Sequence, residues 1–574
     1  MSSGRRDRRG GTTAAAALLV LLLGVVASCA RIPTDGAVRD GTAELEQASE
    51  IGYIPAGPTP GAEPDVIVQG FLNNAQAGPT SVASFAAAQE YLTRSAWTGW
   101  DRYTRVLVLD GSPQLIPADV ADDATTTTVK ASAVVVATLD ENGVYAEEPE
   151  PRSIELPFTL TRRADGEWRI SQLDDGLMLS TAFFSQAFHL TSLYFPTPDL
   201  AWWVPDVRWF PRQTWRTDAT SAILAGPPEW LADSTTTVVP EGTSLAIDAV
   251  TVGDDGTIDV SLTSPITQAT TEQRALALAQ LEATLVEGGE ARDVQLSART
   301  SPLAVPEEVE ISTPQTVGDA LAVTDGTVQR FEGESLGDLD DAPSLAGLDP
   351  TALAVGPGSE PVVVRDGDDR IVRLSAAGPE AVMSGKDLVA PSVDRYAAVW
   401  SARGNRISVA TASGAVQEID VDWLDSRSVR SVRVSPEGAR VAVVSAGPSG
   451  RLVHVAGIQR DADGVPTGLS APVQVGASVG QVDLAVWQEE AVLALLGAEE
   501  DGDRAVFLAG VGGQPGTGGL SRALTGIAGP QWVTASVGSG ALLVLDGDGS
   551  LFSRQTSSLW PLVTEDVDLV AYPG

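Results

Sequence analysis

A loose repeat in the second half of the chain constrains the fold more than any other feature. Short valine-rich segments recur there, and turn residues such as Gly, Pro, Asp and Ser separate them. Comparable positions at Ser392, Ser435, Trp487 and Trp532 are 43, 52 and 45 residues apart. This spacing is typical of the blades of a β-propeller, and it predicts about six blades in residues 315–574. A pair of β-sandwiches is the main alternative, but the regular spacing disfavours it.

The segment before the repeat predicts two smaller domains, the first over residues 65–190. Asp65 follows a proline and is expected to cap a helix, and 3.6-residue spacing predicts a second helix from Phe85 to Leu92. Alternating apolar residues then predict strands, which are Arg105 to Leu109, Val129 to Leu139, Ile154 to Leu160 and a hairpin turning at Ala164-Asp165-Gly166. Two helices followed by an antiparallel sheet resemble the NTF2-like α+β cone, for which a scaffold role is the favoured interpretation.

Residues 191–305 predict an α/β domain built on a β-α-β unit. Its helix starts at a capping box formed by Thr270 and Gln273, between strands centred on Val260 and Leu296. An aromatic segment, Trp202 to Phe210, is interpreted either as core or as an exposed contact for carbohydrate or protein, and core is favoured. The segments that resemble the GerMN domain of spore-germination proteins and cell-envelope lipoproteins are Leu193-Tyr194-Phe195, Val204 to Arg208 and Ala225 to Leu231.

Cys29 is the only cysteine in 574 residues. Basic residues and a short apolar run precede it, and the small residues Ala27 and Ser28 stand before it, as in a secretory signal. The apolar run is too short for a permanent membrane span. Val26-Ala27-Ser28-Cys29 resembles the lipobox of bacterial lipoproteins, which implies a signal peptide over residues 1–28, cleavage after Ser28, and S-diacylglycerol and N-palmitoyl groups on Cys29. Ordinary signal cleavage beside a chance cysteine is the alternative, and the export route stays open.

Composition agrees with a protein outside the cytoplasm. Residues 29–64 are polar and rich in proline, which predicts a flexible tether between the lipid anchor and the first domain. The formal charge is −39, from 37 Lys plus Arg and 76 Asp plus Glu, and it argues against nucleic acid as a partner. Without a second cysteine there are no disulfides, so stability must come from hydrophobic cores.

A search for catalytic chemistry finds little. His189 and His454 are the only histidines, so no multi-histidine metal site is expected, and we predict no metal and no cofactor. The string from Gly476 to Gly480 matches a nucleophile elbow around Ser478, but no histidine follows it. Two aspartate-rich strings are better explained as hairpin turns than as calcium loops, and they are Asp366 to Asp369 and Asp546 to Asp548. The chain is therefore predicted not to be an enzyme.

Taken in order, the lipobox, tether, α+β domain, GerMN-like domain and propeller resemble the LpqB family of actinobacterial lipoproteins over essentially the whole mature chain. The segments that carry the resemblance are Val68 to Leu72, Glu90 to Thr93, Gly226 to Leu231 and Val432 to Ala442. The segment from Val432 to Ala442 contains a turn in which many propellers have Asp-Gly. This chain has Glu437-Gly438 there, which is a mild departure from the common propeller turn.

The resemblance implies a non-enzymatic lipoprotein on the extracytoplasmic face of the cell membrane. It implies an accessory role for the MtrA and MtrB two-component system, with the extracytoplasmic domain of an MtrB-like sensor histidine kinase as partner, in cell-envelope homeostasis and division. Two other hypotheses stay open. One is a lipoprotein that binds envelope glycan or peptide through Trp202 to Phe210, and the other is a propeller hydrolase that uses a pair of carboxylates.

Overall fold

The computed structural model describes residues 56–80, 85–117, 120–287, 289–305, 309–313, 318–333, 335–419, 421–498, 502–538 and 541–574. The predicted signal peptide, Cys29 and most of the predicted tether lie outside these ranges. None of the helices within them is long and apolar enough to cross a membrane.

The first domain combines four short helices with one mixed sheet. The helices are α1 (Pro64–Ala77), α2 (Ala86–Gln89), α3 (Arg94–Gly99) and α4 (Thr181–Ala187). The strands are β1 (Arg105–Leu109), β2 (Gln114–Ile116), β3 (Thr126–Asp140), β4 (Tyr145–Arg162), β5 (Trp168–Gln172) and β6 (Leu177–Ser180). They pair in the order β5-β4-β3-β1-β6 with β2 beside β3, and only β1 and β6 run parallel. The helices cover a core between them and the sheet. The predicted α+β arrangement is present, and its NTF2-like classification stays a prediction.

Two local predictions for this domain are wrong. The first helix begins at Pro64, so Asp65 lies in its first turn and Glu63 occupies the cap position. The predicted second helix has only four residues, because the backbone of Tyr91 accepts a hydrogen bond from Ile170 in β5 at 3.0 Å. A strand partner distant in sequence therefore ends this helix earlier than its apolar spacing suggests.

The last residues of the predicted tether are part of the first domain. The carbonyl of Ala56 accepts hydrogen bonds from Asn74 at 3.2 Å and from the Tyr91 hydroxyl at 2.9 Å. The amide of Gly61 donates to the Glu167 carboxylate at 3.0 Å. The prediction of a flexible tether up to residue 64 is therefore wrong for residues 56–64.

The second domain contains the predicted β-α-β unit. Its elements are β7 (Phe188–Pro196), β8 (Trp203–Pro211), α5 (Trp215–Ala225), β9 (Thr257–Leu262), a 3₁₀ turn (Ser264–Gln268), α6 (Thr271–Leu285), β10 (Asp293–Ala298) and β11 (Ser301–Pro302). Strands β9 and β10 pair in parallel, and α6 connects them along the chain. Strands β7 and β8 form a separate antiparallel hairpin. The capping box of Thr270 and Gln273 is confirmed, with both reciprocal hydrogen bonds present.

The third domain is a propeller. We refer to its sheets as blades 1 to 6 in chain order. Blade 1 contains β12 (Leu321–Thr324), β13 (Thr327–Phe331) and β14 (Leu336–Asp338), and blade 2 contains β15 (Pro350–Val355), β16 (Val362–Asp366), β17 (Arg370–Leu374) and β18 (Glu380–Ser384). Blade 3 contains β19 (Ser392–Val393), β20 (Val399–Arg403), β21 (Arg406–Ala410) and β22 (Val416–Ile419). Blade 4 contains β23 (Ser428–Val434), β24 (Arg440–Gly447), β25 (Gly450–Arg460), β26 (Pro466–Leu469) and β27 (Val473–Val475). Blade 5 contains β28 (Gly480–Glu489), β29 (Val492–Ala498), β30 (Arg504–Gly510) and β31 (Arg522–Leu524). Blade 6 contains β32 (Pro530–Ala535), β33 (Leu542–Asp546), β34 (Leu551–Ser553) and β35 (Leu562–Thr564), and β36 (Leu569–Ala571) returns to blade 1. Two 3₁₀ turns, Pro357–Ser359 and Asp422–Leu424, lie in the connections.

The propeller closes by sharing a sheet between the two ends of the domain. Strand β36 pairs with β12, so blade 1 combines the first and last strands of the domain. The strands that begin the blades, β36, β15, β19, β23, β28 and β32, contact one another consecutively in a closed ring. This closure protects the edges that an open sheet would expose.

Candidate functional site at the domain junction

From Trp203 onward the aromatic segment is strand β8, whose aromatic side chains are buried, whereas Trp202 precedes the strand and is half-buried. Trp203, Trp209 and Phe210 are 4%, 3% and 7% exposed, and Val204 is fully buried. Because successive side chains of a strand point to opposite faces, Trp209 enters the core of the first domain and Phe210 that of the second. Core packing is therefore confirmed for Trp203, Trp209 and Phe210, and for these residues the interpretation as an exposed contact surface is wrong.

Trp209 and its neighbour Tyr145 also reach the propeller. The ring centroid of Trp209 lies 6.1 Å from that of Tyr145 and 4.8 Å from that of Phe184. Its indole Nε1 donates to the carbonyl of Gly512 at 2.9 Å, and the Tyr145 hydroxyl donates to the carbonyl of Gly518 at 3.0 Å. Burial raises the pKa of Tyr145, so its hydroxyl remains a neutral donor. These two side chains join the first and second domains to a loop of blade 5.

The loop that receives them, residues 511–521, is rich in glycine because the approach is close. Gly519 has φ +92°, and a Cβ there would lie 2.2 Å from Cζ of Tyr145. Gly516, in the same loop with φ +79°, has no atom within 4 Å of the corresponding position. The loop therefore needs glycine at Gly519 for both backbone conformation and space, and at Gly516 for conformation alone.

Glu147 in β4 is a second contact between the first domain and the propeller. Its carboxylate accepts from the Ser478 hydroxyl at 2.7 Å, and from the Ser521 amide and hydroxyl at 3.0 and 2.8 Å. Ser478 is the serine of the possible nucleophile elbow. Its hydroxyl is bonded to a carboxylate at a domain contact, whereas a nucleophilic serine would be paired with a base such as an imidazole.

The second domain docks through the turn after α5, which belongs to the segment Gly226 to Leu231 quoted above. Leu231 is fully buried in a cluster with Val204 of β8 and with Ala439, which belongs to the propeller. The Ser470 hydroxyl of the propeller donates to the carbonyl of Trp230 at 2.6 Å. One of the sequence segments that carries the family resemblance is therefore a domain contact.

A buried polar network lies at the same junction. The Tyr194 hydroxyl of β7 donates to Oε2 of Glu490 at 2.8 Å, and Nη2 of Arg440 donates to the backbone carbonyl of Glu490 at 2.6 Å. Nε of Arg440 lies 2.7 Å from Oε1 of Glu437, and the side chains of this ion pair are both 0% exposed. The guanidinium of Arg440 also lies 4.6 Å from the ring centroid of Trp487. The network links one hydroxyl of the second domain to charged groups of blades 4 and 5.

The electrostatics of this network follow from its burial. Burial raises the pKa of Glu490, although the hydrogen bond from Tyr194 and the nearby charge of Arg440 oppose the shift, and Glu437 adds to it. Burial also raises the pKa of Tyr194. Sequence reasoning missed this site, although Glu437 and Arg440 are three residues apart in a segment that it had singled out.

The histidines lie in different domains. His189 in β7 stacks on Trp215 with centroids 4.3 Å apart, and its Nε2 lies 3.1 Å from Oε2 of Glu287. His454 in β25 packs beside Trp423 with centroids 5.2 Å apart, and burial lowers its pKa to about 4. Within the described ranges, no group of three or more His, Cys, Asp or Glu residues is arranged to hold a metal ion.

The two aspartate-rich strings are hairpin turns. Oδ1 of Asp366 accepts from the amide of Asp349 at 2.7 Å, and its Oδ2 pairs with Arg370. Oδ1 of Asp546 accepts from the amides of Asp548 and Ser550 at 2.9 and 2.8 Å. Both aspartates therefore bond to the backbone of their own blades. The predicted lipidation residue, Cys29, lies outside the described residues.

Three family models match successive parts of the chain. The N-terminal domain of lipoprotein LpqB matches residues 57–185, the Germane model for sporulation and spore germination matches residues 192–303, and the LpqB β-propeller domain matches residues 326–571. The chain belongs to the LpqB lipoprotein family. The family models thus bear out the predicted GerMN-like domain and β-propeller, which follow an N-terminal domain of the LpqB family.

Relatives named lipoprotein LpqB come from several bacteria. The protein of Bifidobacterium longum is 28% identical, over 76% of this chain and 77% of its own length. The protein of Cutibacterium acnes is 26% identical, over 95% and 97% of the two chains, and that of Thermobifida fusca is 24% identical, over 96% and 97%. The last two of these relatives match nearly the full length of this chain.

The similarity to solved structures is weaker than the similarity to these LpqB relatives. A chain of a nidogen and laminin complex matches 44% of this chain and 97% of its own length, with a TM-score of 0.32 and 15% identity. A similarity this low supports no functional argument.

Proposed function

We propose that the chain is a membrane-anchored extracytoplasmic lipoprotein that regulates a sensor histidine kinase without catalysing a reaction. The proposed partner is the extracytoplasmic domain of an MtrB-like kinase, and the proposed process is cell-envelope homeostasis and division. Family membership supports this proposal, since the family resemblance implies the same role.

The junction of the three domains is the observation that carries the proposal. A regulator without catalysis acts by binding one state of its partner better than the other, and it then shifts the equilibrium between them. Such a protein gains from a fixed arrangement of its domains, because binding loses less entropy when the binding surface is already organised. The contacts of Trp209, Leu231, Tyr194 and Glu147 across the junction support such a fixed arrangement.

The proposal places the lipid anchor on Cys29, with an S-diacylglyceryl group, an N-palmitoyl group and signal cleavage after Ser28. Two or more acyl chains hold a protein on a membrane stably, whereas one gives only marginal binding. From Cys29 to Ala56 the chain spans at most about 100 Å when fully extended. The domains can therefore reach a receptor ectodomain that stands well above the lipid surface.

In-cell crosslinking of the tagged lipoprotein, followed by mass spectrometry, tests the partner. We expect crosslinks between the described domains and the extracytoplasmic domain of a sensor kinase. Deleting the gene should change phosphorylation of the response regulator, and Cys29→Ser should release the protein from the membrane fraction. Ser28→Ala is the matched control, since it keeps a small residue at the cleavage site and should stay membrane-bound. Unchanged kinase output in the deletion strain would contradict the proposal.

Direct binding of envelope glycan is the second outcome of the same experiment. The surface first considered for it loses Trp203 and Trp209, which are buried in β8, and of its three tryptophans Trp202 alone is half-buried. Capture of only cell-wall enzymes or glycan fragments would favour this second function over the proposed one.

A further inference from the structure

Arg433 is a buried cation at the centre of the propeller. It lies on β23, the strand of blade 4 that belongs to the closed inner ring, and it is 8% exposed. Its Nη1 donates to the carbonyls of Pro391 and Val432, both at 2.9 Å, and more weakly to that of Ala390 at 3.4 Å. Among the described residues, every hydrogen bond of this guanidinium starts from Nη1. The N–H groups of Nε and Nη2 are therefore left for another acceptor.

No acidic side chain neutralises this arginine. Among the described residues, Arg433 forms no ion pair, and burial is the only cause of its pKa shift. Arg440, seven residues further on, shows the usual arrangement, with its guanidinium bonded to the carboxylate of Glu437. Burial lowers the pKa of Arg433 to about 10, so the group is still charged near neutral pH. A buried charge without a counter-charge is costly, and carbonyl dipoles offset that cost only in part.

Arg433 lines a cavity at the axis of the ring. Residues in the first strands of several blades, or directly after them, surround the cavity, among them Trp487, Trp532 and Tyr572. The guanidinium carbon lies 5.8 Å from the ring centroid of Trp532, and none of the side chains that line the cavity is acidic. The cavity has a volume of about 40 Å³. One water needs at least about 10–15 Å³ on this measure, so the space holds a few atoms and excludes a large ligand.

We propose that this axial cavity binds one small monovalent anion, of the size of chloride or formate, against the guanidinium of Arg433. The planar fork of an arginine matches a carboxylate through two parallel hydrogen bonds, and it also binds a halide through adjacent N–H groups. The surrounding Trp and Pro side chains lower the polarity beside the guanidinium, which strengthens the attraction. The bound anion supplies a counter-charge that no side chain lining the cavity provides, and so it stabilises the inner ring of the propeller.

Thermal unfolding of the full-length lipoprotein in detergent tests this site. Chloride, bromide, formate and sulfate are titrated at constant ionic strength, with gluconate as the replacement anion. The Tm should rise with chloride, bromide and formate by roughly 3–5 °C for each tenfold rise in concentration above the Kd. Sulfate is too large for the cavity, so the general stabilisation that it gives by exclusion from the protein surface should not depend on Arg433. Equal Tm values in all anions, or a rise with sulfate alone, would overturn the proposal.

Two variants make the test specific. Arg433→Gln should lose the dependence of Tm on chloride and formate. Arg430→Gln removes the same charge from an exposed position of the same strand, and it should keep that dependence. An anion dependence that persists in Arg433→Gln would contradict the assignment.

Crystals of the unaltered protein provide a readout that does not depend on the folding of a variant. After a bromide soak, an anomalous peak should lie within about 3.5 Å of the Arg433 guanidinium, the range of an N–H to halide contact. An empty axial cavity with bromide bound only at the surface would refute the site.

Discussion

Removing the cation of the buried ion pair in blade 4 should destabilise the propeller strongly. Arg440 and Glu437 are both 0% exposed, and their closest atoms are 2.7 Å apart. In Arg440→Met the new side chain fills much of the same volume, but Glu437 keeps its charge in a site closed to water. Loss of one partner of a buried pair costs about 3–5 kcal/mol, because the remaining charge is buried without compensation.

The same change at an exposed pair is the control. Arg406 and Glu418 pair across β21 and β22 of blade 3, and their side chains are 66% and 48% exposed. Arg406→Met should cost only about 0–1 kcal/mol, since water screens the charges that remain. The two variants remove the same group from the same domain, so the difference between them measures the effect of burial.

Hydrogen exchange measured by mass spectrometry locates the effect. Peptides that cover β23 and β24 should lose roughly 10²- to 10⁴-fold of their protection in Arg440→Met, the equivalent of the free energy above. Adding Glu437→Gln in the same chain removes the buried charge and should restore a large part of the protection. A loss within threefold of that in Arg406→Met, or no recovery in the double variant, would refute the reasoning.

Three further predictions concern the junction and the histidine of the propeller. Gly519→Ala should separate the first domain from blade 5, seen as faster hydrogen exchange around Tyr145, whereas Gly516→Ala should cost only about 1 kcal/mol of backbone strain and leave that contact intact. Trp203→Ala should lower the free energy of unfolding by about 3–5 kcal/mol without a selective loss of peptidoglycan retention, and a fully stable variant that no longer binds peptidoglycan would contradict this. His454 has a pKa near 4 in the folded state, below its ordinary value, so the unfolded chain binds the proton first and stability falls as pH drops from about 6.5 towards 4. With partial exposure taken into account the loss is roughly 1–2 kcal/mol, and urea denaturation at several pH values should show it in the unaltered chain but not in His454→Gln.

Sequence patterns predicted a helix or strand correctly where its bounds depend only on neighbouring residues. The capping box at Thr270 and Gln273, and the strand from Arg105 to Leu109, need only their own residues and appear as predicted. The second helix failed because its end depends on Ile170, about 80 residues away. The end of the tether failed for a similar reason, since Ala56 is held by Asn74 and Tyr91.

The candidate site was much less predictable, because its partners are far apart in the sequence. Tyr194 and Glu490 are 296 positions apart, and Glu147 and Ser521 are 374 apart. No periodicity or motif relates such residues. Tryptophan content alone left β8 open to two interpretations, and only its position between three domains shows why it is aromatic and buried.

The turn at Glu437-Gly438 shows how a mild departure from a repeat gains meaning from tertiary structure. An aspartate in this turn would have one methylene group fewer, and its carboxylate would sit correspondingly further from Arg440. The longer side chain of Glu437 reaches Nε of Arg440, while Nη2 of that arginine holds the carbonyl of Glu490. The Glu490 side chain in turn accepts the Tyr194 hydroxyl of the second domain. Because buried charges are costly when unpaired, this arrangement penalises any docking in which the groups do not meet. The residue that departs from the common turn therefore helps to specify how the second domain sits on the propeller, and a Glu437→Asp variant should weaken that contact before it weakens the blade itself.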